Sequence, residues 1–386
     1  MTVGPRPERL AVTKALTAIE PDHPELAAAR AAGITVEPWQ QVVADAAEGR
    51  TLVAVAGTHG KSTSAGWLTH VLASAGRDPA AFVGALLPPS ITGGPPATAR
   101  QGRGDVFVVE ADEYAGNFDA YRPDLAIVTN VEWDHPDVFA DRSAVVDAFA
   151  RWLACVPGAT IVANVGDPGT TELLARLAGR PGRIVPVSPE DTALGVTLRL
   201  AGAHNVANAM VVAAAALALG VEPAAIRAGL ETFPGVGRRL ERKGEAGGVA
   251  VYDDYGHHPT AIRATIAALR EREPGRRLWV ACEPLTFHRT AALLDLVAEA
   301  LAGADGVAVA DIWPGRDPDR SIASAAGLAE ATRRLVPARP VAAPGSVEAT
   351  ADWLAERVAP GDVVLVTGGG HSYVIADRLL ALLGGR

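Results

Sequence analysis

A short glycine loop in the first third of the chain carries the clearest chemical signal. Residues 52–62 read L-V-A-V-A-G-T-H-G-K-S, an apolar run that turns through Gly57 and Gly60 and ends in Lys61 and Ser62. A strand that turns into a helix leaves free backbone N–H groups at the positive end of the helix dipole, where they can hold phosphate. The Lys61 ammonium can reach the β- and γ-phosphates, and the Ser62 hydroxyl can hold Mg²⁺. The pattern predicts a nucleotide phosphate site; the alternative is an ordinary strand–turn–helix corner.

An acidic block follows another strongly apolar run. Residues 106–114 read V-F-V-V-E-A-D-E-Y and place Glu110, Asp112 and Glu113 at the carboxyl end of a strand. Ligands of open parallel sheets bind at this edge, and Mg²⁺ prefers a few carboxylates together with phosphate oxygens and water. The block predicts a carboxylate ligand for a nucleotide-bound Mg²⁺, with an acidic turn at a strand end as the alternative.

A third block, T-N-V-E-W-D-H-P-D at residues 129–137, also comes directly after an apolar strand. Its His135 can be a metal ligand or can touch a transferred phosphoryl group, although a single loop histidine is often only a surface residue. Three successive strands that end in G-K-S, E-A-D-E and W-D-H together describe one site.

Two polar blocks lie further along the chain. G-A-H-N-V-A-N-A at residues 202–209 opens a helix with Asn205 and Asn208. Their amides can offer both a donor and an acceptor to an adenine edge, or Asn205 can simply cap the helix. V-Y-D-D-Y-G-H-H-P-T at residues 251–260 ends a strand with two acids and two histidines, a position suited to a ligand.

The composition excludes several classes of protein. The net charge of −9 argues against non-specific binding to nucleic acid or to an anionic membrane surface. No segment is continuously apolar over about 18 residues, so we expect no membrane span. Cys155 and Cys282 are the only cysteines, which supports no disulfide framework and indicates a reducing compartment. We therefore expect a cytoplasmic protein with small-molecule partners; the sequence makes no prediction of its oligomeric state.

Strand-like and helical patterns alternate along the chain, and 386 residues indicate two or three domains. This alternation predicts α/β layers built on parallel sheets. The polar segment 238–248, after Gly235 and Gly237, predicts a domain boundary, and the Pro- and Gly-rich stretch 88–104 predicts a mobile loop. The predicted strands are 51–56, 105–110, 125–130, 160–163, 183–187, 249–253, 277–282, 307–312 and 362–367. The predicted helices are 61–75, 142–154, 170–178, 204–219, 259–272, 290–302, 322–335, 347–358 and 372–383.

In this order, the blocks resemble the Mur ligase family. The matching segments are G-T-H-G-K-S, E-A-D-E, V-T-N-V-E-W-D-H, H-N-V-A-N-A, F-P-G-V-G-R-R-L-E, D-D-Y-G-H-H-P-T and A-D-I-W-P-G-R. The resemblance implies an ATP- and Mg²⁺-dependent ligase that forms an amide bond through an acyl phosphate. It is strongest to the branch that joins UDP-N-acetylmuramate to L-alanine in peptidoglycan precursor synthesis, with the muropeptide-recycling branch close behind.

The same resemblance implies a domain plan. It implies a remnant of an N-terminal UDP-sugar-binding domain at 1–48, since only a short segment precedes the glycine loop. A central P-loop-type parallel-sheet ATPase domain would span 49–234 and a C-terminal Rossmann-like α/β domain 235–386. Some branches of the family support the metal with a carbamoylated lysine in the central domain. No lysine lies between residues 62 and 242 here, as the resemblance to the alanine-adding branch leads us to expect.

Residue roles also come from the resemblance. Lys61, His135 and His257 would be catalytic, and Ser62, Glu110 and His135 would bind the metal. The residues implied for binding the nucleotide are Gly57, Thr58, His59, Gly60, Lys61, Ser62, Thr63, Asn205, Asn208, Arg239 (or Arg238) and Asp253.

Two other functions stay open from the sequence. The short front of the chain is compatible with a ligase of the same fold that joins a different acid and amino acid. The second alternative is a nucleotide-binding protein that does not catalyse ligation. Lys61, Glu110, His135 and His257 weigh against this second alternative, because they have little structural purpose.

Overall fold

The structure, a computed structural model, describes residues 7–190, 195–315 and 317–385. The described part of the chain begins with a small unit of two parallel strands and three helices. The pair joins Leu10 to Val36 in register. The elements of this unit are β1 (Arg9–Val12), α1 (Lys14–Ile19), α2 (Pro24–Ala31), β2 (Thr35–Pro38) and α3 (Trp39–Ala46).

A seven-stranded sheet follows, and all its strands except one edge strand run parallel. Its strands are β3 (Thr51–Ala56), β4 (Ala80–Leu87), β5 (Ala97–Arg100), β6 (Val106–Glu110), β7 (Leu125–Val128), β8 (Thr160–Asn164) and β9 (Ile184–Val187). The spatial order is β5-β4-β6-β3-β7-β8-β9. The central strand β3 lies between β6 and β7, which explains its unbroken apolar sequence, because helices cover both faces of the sheet.

Two layers of helices cover this sheet. The first layer is centred on α4, whose Trp67 stacks on Phe233 with ring centroids 4.8 Å apart, and the second is centred on α6, whose Phe149 and Trp152 pack against Phe118. The helices are α4 (Lys61–Ser74), α5 (Pro89–Thr92), α6 (Arg142–Ala154), α7 (Pro168–Arg176), α8 (Ala203–Ala218) and α9 (Pro223–Thr232), with a 3₁₀ segment at Tyr114–Ala120.

The last third of the chain forms a six-stranded sheet of order β10-β11-β15-β12-β13-β14. Its strands are β10 (Glu241–Ala246), β11 (Val249–Asp254), β12 (Leu278–Glu283), β13 (Gly306–Ala310), β14 (Val341–Gly345) and β15 (Val363–Gly368). Its helices are α10 (Pro259–Arg272), α11 (Phe287–Ala292), α12 (Leu294–Leu301), α13 (Ala325–Leu335), α14 (Val347–Ala355) and α15 (Tyr373–Gly384). Helices α10, α12 and α13 cover one face, and α14 and α15 cover the other.

The predicted α/β fold class is confirmed, and every predicted strand and helix has a counterpart. Two local predictions were wrong, and the segment predicted as a domain boundary holds a strand that was not predicted. The stretch 88–104 is not only loop, because it contains α5 and the antiparallel edge strand β5. The polar segment 238–248 contains β10, an antiparallel edge strand with its side chains half-exposed, so it has no apolar run to detect. The predicted helix 290–302 is two helices separated at Leu293.

We predict that Ile127→Ala destabilises the seven-stranded sheet. Ile127 lies on β7 and is fully buried in the layer against α4 and α8. Removing its branched side chain should lower the free energy of unfolding by about 2–5 kcal/mol. Leu335→Ala, at a side chain that is 52% exposed, is the matched control and should change it by well under 1 kcal/mol. Urea unfolding and hydrogen exchange of the β7 amides measure the free energy of unfolding of the two variants. Equal losses of stability in Ile127→Ala and Leu335→Ala would contradict the prediction.

Candidate active site

The loops after β3, β6 and β7 meet at one edge of the seven-stranded sheet. At their centre, the Lys61 Nζ donates to Glu113 Oε2 at 2.9 Å and lies 3.4 Å from Asp112 Oδ1. It also donates to the Thr58 carbonyl at 3.3 Å. The glycine loop and the acidic block therefore form one site, as their positions after neighbouring parallel strands predicted.

The histidine of the third block reaches the same acid. His135 Nε2 lies 3.9 Å from Glu113 Oε1. A guanidinium N–H of Arg289 donates to His135 Nδ1 at 3.0 Å, so the neutral imidazole carries its proton on Nε2, towards Glu113. His135 has a φ of 57°, which for a residue other than glycine marks a constrained backbone. The three strand ends thus converge as expected.

Ser62 and Glu110 form a second part of this edge. The Ser62 hydroxyl donates to Glu110 Oε1 at 3.0 Å, and the Gly84 N–H donates to Glu110 Oε2 at 2.6 Å. His135 contacts Glu113 and not Glu110. The three residues expected to bind metal are therefore divided between two neighbouring carboxylates, on either side of Lys61.

Two glycines allow the phosphate loop to be held closely. Gly57 has a φ of 137°, and a Cβ there would lie 2.0 Å from Thr129 Oγ1. Gly60 has a φ of 82°, and a Cβ there would lie 2.5 Å from Asn208 Oδ1. Only glycine fits both the backbone conformation and the space. No side chain caps the first turn of α4, so its amides stay available to an anion.

Asn130 holds the backbone of this loop in place. Its Oδ1 accepts from the His59 N–H at 2.8 Å, and its carbonyl accepts from the Thr58 N–H at 3.1 Å. Its Nδ2 donates to the His59 carbonyl at 2.9 Å, and the Thr129 hydroxyl donates to the same carbonyl at 2.6 Å. The sequence analysis missed both residues, although the polar T-N pair directly after an apolar strand was a usable signal.

Burial controls the protonation of the central pair. Glu113 is 1% exposed, and this burial raises the pKa of its carboxyl to about 7 in spite of the Lys61 ammonium beside it. Burial alone would lower the pKa of Lys61, but the carboxylates of Glu113 and Asp112 outweigh burial and raise it. Lys61 therefore stays charged at neutral pH. Glu113 Oε1 is buried and has no hydrogen-bond partner among the described residues, which leaves an acceptor free for a ligand.

A cavity of about 570 Å³ lies between the two large sheets, over this edge. Its walls include the phosphate loop, Asn205 and Asn208 from α8, and Tyr255 and His257 from the six-stranded sheet. The Asn205 Nδ2 donates to the Ala201 carbonyl at 2.8 Å, while Asn208 packs against Gly60. Both asparagines are about 95% buried and line the cavity.

The six-stranded sheet contributes two arginines to the site. Arg239 donates to the Ser62 hydroxyl at 3.0 Å and lies over the Tyr255 ring at 5.1 Å. Arg289 donates to Asp134 Oδ1 at 2.8 Å through its Nε. The side chains of Arg289 and Asp134 are both less than 10% exposed. Burial opposes the charge of Asp134, but the Arg289 guanidinium keeps the pKa of this carboxyl well below its ordinary value. The sequence analysis did not assign Asp134 or Arg289.

His257 lies in the cavity wall, as expected. Its Nδ1 is 3.0 Å from the Tyr255 carbonyl, so Nδ1 donates and Nε2 keeps the lone pair. Burial, and then the charge of Arg289, lower the pKa of His257 well below the usual value, so the imidazole is neutral. The cavity also has Leu285 in its wall, and Leu285 lies with His257 next to Gly369.

Asp253 is the expected site residue that the structure holds away from the cavity. It is fully buried, and the Arg238 Nε donates to its Oδ2 at 3.0 Å. Asp254, the next residue, lines the cavity instead. Arg238 also donates to the Gly368 carbonyl and the Ser372 hydroxyl at 2.9 and 2.7 Å, so it supports the sheet, whereas Arg239 faces the phosphate loop.

Comparison with known proteins gives matches along most of the chain. The Mur ligase middle domain matches residues 55–195, and the glutamate ligase domain of Mur ligases matches residues 238–370. A UDP-N-acetylmuramate–L-alanine ligase of Frankia casuarinae is 38% identical, over 97% of this chain and 84% of that protein. A protein of the same name from Nocardioides is 40% identical, over 96% and 82%.

Among solved structures, the UDP-N-acetylmuramate–alanine ligase of Thermotoga maritima has a TM-score of 0.73 and 23% identity. The match covers 94% of this chain and 83% of that one, and it supports the fold.

Within the described residues, no helix is long and apolar enough to cross a membrane.

We predict that Asp253→Asn changes the pH dependence of stability. Burial raises the pKa of the Asp253 carboxyl from 3.8 to about 6, so the folded protein binds this proton more tightly than the unfolded chain. The stabilisation is complete below pH 4 and is lost as the pH rises through 6, by about 3 kcal/mol. Urea unfolding between pH 4 and 7 should show this loss in the wild type and not in Asp253→Asn. Asp295→Asn, at an exposed carboxyl, is the control and should lose stability with rising pH as the wild type does. Parallel plots of the free energy of unfolding against pH for wild type and Asp253→Asn would contradict the prediction.

Proposed function

Because the chain belongs to the Mur ligase family, we propose that it joins UDP-N-acetylmuramate to L-alanine. Family membership makes it an ATP-dependent amide-bond ligase of peptidoglycan synthesis. The two substrates are named for relatives that are 38% and 40% identical over almost the whole chain. The observation that carries the proposal is the meeting of Lys61, Glu113 and His135 at one strand edge, under a cavity between the sheets.

The chemistry follows from the weakness of a carboxylate as an electrophile. The γ-phosphoryl group of ATP passes to the carboxylate of the sugar acid and gives an acyl phosphate. The amine of the amino acid then attacks the acyl carbon, and phosphate leaves. Lys61 and the first-turn amides of α4 would offset the charge that builds on the transferring group.

Magnesium fits the residues at this edge. Glu113 Oε1 is a buried oxygen with no hydrogen-bond partner in the described part of the chain, and the Ser62 hydroxyl and the Glu110 carboxylate lie 3.0 Å apart. Hard oxygen donors beside a phosphate site are the ligands that Mg²⁺ prefers. We propose that Ser62 and Glu110, together with the neighbouring pair of His135 and Glu113, hold magnesium with the nucleotide. When bound, the ion would neutralise charge on the phosphates.

The six-stranded sheet would complete the site. His257 presents a neutral Nε2 to the cavity, where it could accept a proton from the incoming ammonium. Arg239 reaches the phosphate loop, while Asn205 and Asn208 lie on the adenine side. Closure of this sheet on the loop would keep water from the acyl phosphate, because water would compete with the amine.

The remaining proposals concern organisation. We propose the nucleotide domain at 49–234, the ligase domain at 235–386 and part of a sugar-nucleotide domain at 1–48. In the part of 1–48 that the structure describes, Lys14 Nζ donates to the Ala115 and Gly116 carbonyls at 3.0 and 2.7 Å. This contact ties that segment to the loop that follows Glu113.

We also propose a cytoplasmic location, because ATP and nucleotide-linked sugar precursors are found there.

The substrate proposal predicts phosphate release that needs every component. Purified protein with ATP, Mg²⁺, UDP-N-acetylmuramate and L-alanine should release phosphate and form the amide product. Omitting either the sugar acid or the amino acid should reduce release to background. Release with another acid or amino acid only would favour a related ligase of different substrates. Nucleotide binding without turnover under any pair would contradict ligase activity.

We also predict that Lys61→Met abolishes turnover. The substitution keeps the side-chain length and removes the charge that faces the phosphates, so kcat should fall by at least about 100-fold. Lys243→Met is the matched control, since Lys243 lies on the edge strand β10 and pairs with Asp377 at 3.5 Å. It should keep wild-type kcat. Circular dichroism must show that both variants fold; a folded Lys61→Met with wild-type turnover would remove the assignment.

A further inference from the structure

Two histidines and a glutamate meet at the phosphate loop. They come from three separate segments: His59 from the loop after β3, Glu132 from the loop after β7, and His258 from the start of α10. His59 Nε2 lies 3.0 Å from Glu132 Oε2, and His258 Nδ1 lies 3.9 Å from the same oxygen. One ligand atom from each residue lies within 4.8 Å of the others.

Neighbouring groups already orient two of these side chains. The His258 Nε2 is 3.1 Å from the Trp133 carbonyl, which can only accept, so the proton sits on Nε2 and the lone pair on Nδ1. This Nδ1 accepts the Thr260 N–H at 3.3 Å as the cap of α10 and lies 3.9 Å from Glu132 Oε2, so a metal would take the place of the Thr260 N–H. The Thr260 hydroxyl donates to Glu132 Oε1 at 2.7 Å and leaves Oε2 towards both histidines. Such outer hydrogen bonds, from imidazole N–H to carbonyl and from hydroxyl to carboxylate, are typical around metal ligands.

We propose that His59, Glu132 and His258 form a binding site for a transition-metal ion of the Zn²⁺ class. Two imidazoles and one carboxylate with a fourth position left to water are a frequent zinc donor set. Bonds of about 2.0–2.1 Å in a tetrahedron put ligand atoms about 3.3 Å apart. The separations from Glu132 to His59 and to His258, 3.0 and 3.9 Å, lie on either side of that value. The two histidine ligand atoms lie within 4.8 Å of each other, so side-chain adjustment on binding would complete the site.

This site differs in chemistry from the one proposed for magnesium. The magnesium residues offer mainly oxygen, whereas two of the three ligands here are imidazole nitrogens, which favour zinc-class ions over Mg²⁺. The three residues all line the cavity, so the fourth position is accessible to water. The inference goes beyond the proposed function and does not depend on it.

The position of the cluster gives metal binding a structural consequence. His59 and Glu132 belong to loops of the seven-stranded sheet, and His258 belongs to the six-stranded sheet. A bound ion would be coordinated by residues from both sheets, and one of its ligands, His59, lies in the phosphate loop. Zinc should therefore hold the two sheets together and raise the temperature of unfolding.

The test is metal binding by the full-length protein without nucleotide. Co²⁺ titration in excess Mg²⁺ should produce the visible absorption of a tetrahedral site at one ion per chain, and Zn²⁺ should displace it. His59→Asn, Glu132→Gln and His258→Asn should each weaken Zn²⁺ binding at least tenfold. His135→Gln removes an imidazole from the neighbouring Asp112–Glu113–His135 group, and His288→Gln removes an exposed one. Both should retain the site.

Three results would overturn the proposal. The first is no Zn²⁺ binding by the wild type, which would leave the cluster as a hydrogen-bonded contact between sheets. The second is loss of binding in His135→Gln together with retention in His258→Asn. The third is retention of wild-type affinity in folded His59→Asn and Glu132→Gln. The ligase assay on the wild-type protein does not depend on any of these metal-binding results, so failure of this inference is distinct from failure of the proposed function.

Discussion

The site is organised around one buried ammonium group. Lys61 stands at the first position of α4, where the phosphate loop ends, and its charge is balanced by Glu113 and Asp112. These acids need the ammonium, since Glu113 is almost completely buried and an unpaired carboxylate there would be strongly destabilising. The pairing ties the ends of β3 and β6 together. It also leaves one oxygen of Glu113 without a hydrogen-bond partner among the residues that the structure describes, so the arrangement is stable and remains open to a ligand.

Contacts between the two sheets extend this organisation. Arg239 reaches Ser62, Arg289 reaches Asp134, and Thr260 reaches Glu132, each at 3.0 Å or less. All three donors belong to the part of the chain that forms the six-stranded sheet and its helices. Asp134 and Glu132 lie in the loop after β7, and Ser62 lies in the first turn of α4. Polar contacts of this kind allow separation more readily than an apolar interface does. The same residues can therefore close the cavity over a nucleotide and open it again.

Sequence reasoning was strongest where strands are buried and loops follow them directly. The apolar runs before Gly57, Glu110 and Thr129 identified the central strands, and parallel topology then required their loops to meet. It was weakest where a residue acts through tertiary contacts. Asp253 and Asp254 are adjacent and chemically identical, and only the sheet register shows which one faces the cavity. Edge strands such as β5 and β10 were missed because their half-exposed faces need no apolar pattern.

The close packing around Gly57 and Gly60 has a kinetic consequence. Thr129, Asn130 and Asn208 leave the loop no room to collapse, so its backbone is held in one conformation before any phosphate arrives. Nucleotide capture then involves no loss of loop entropy. The association rate would be set by diffusion and by the gap between the sheets, with no slow ordering step in the loop itself.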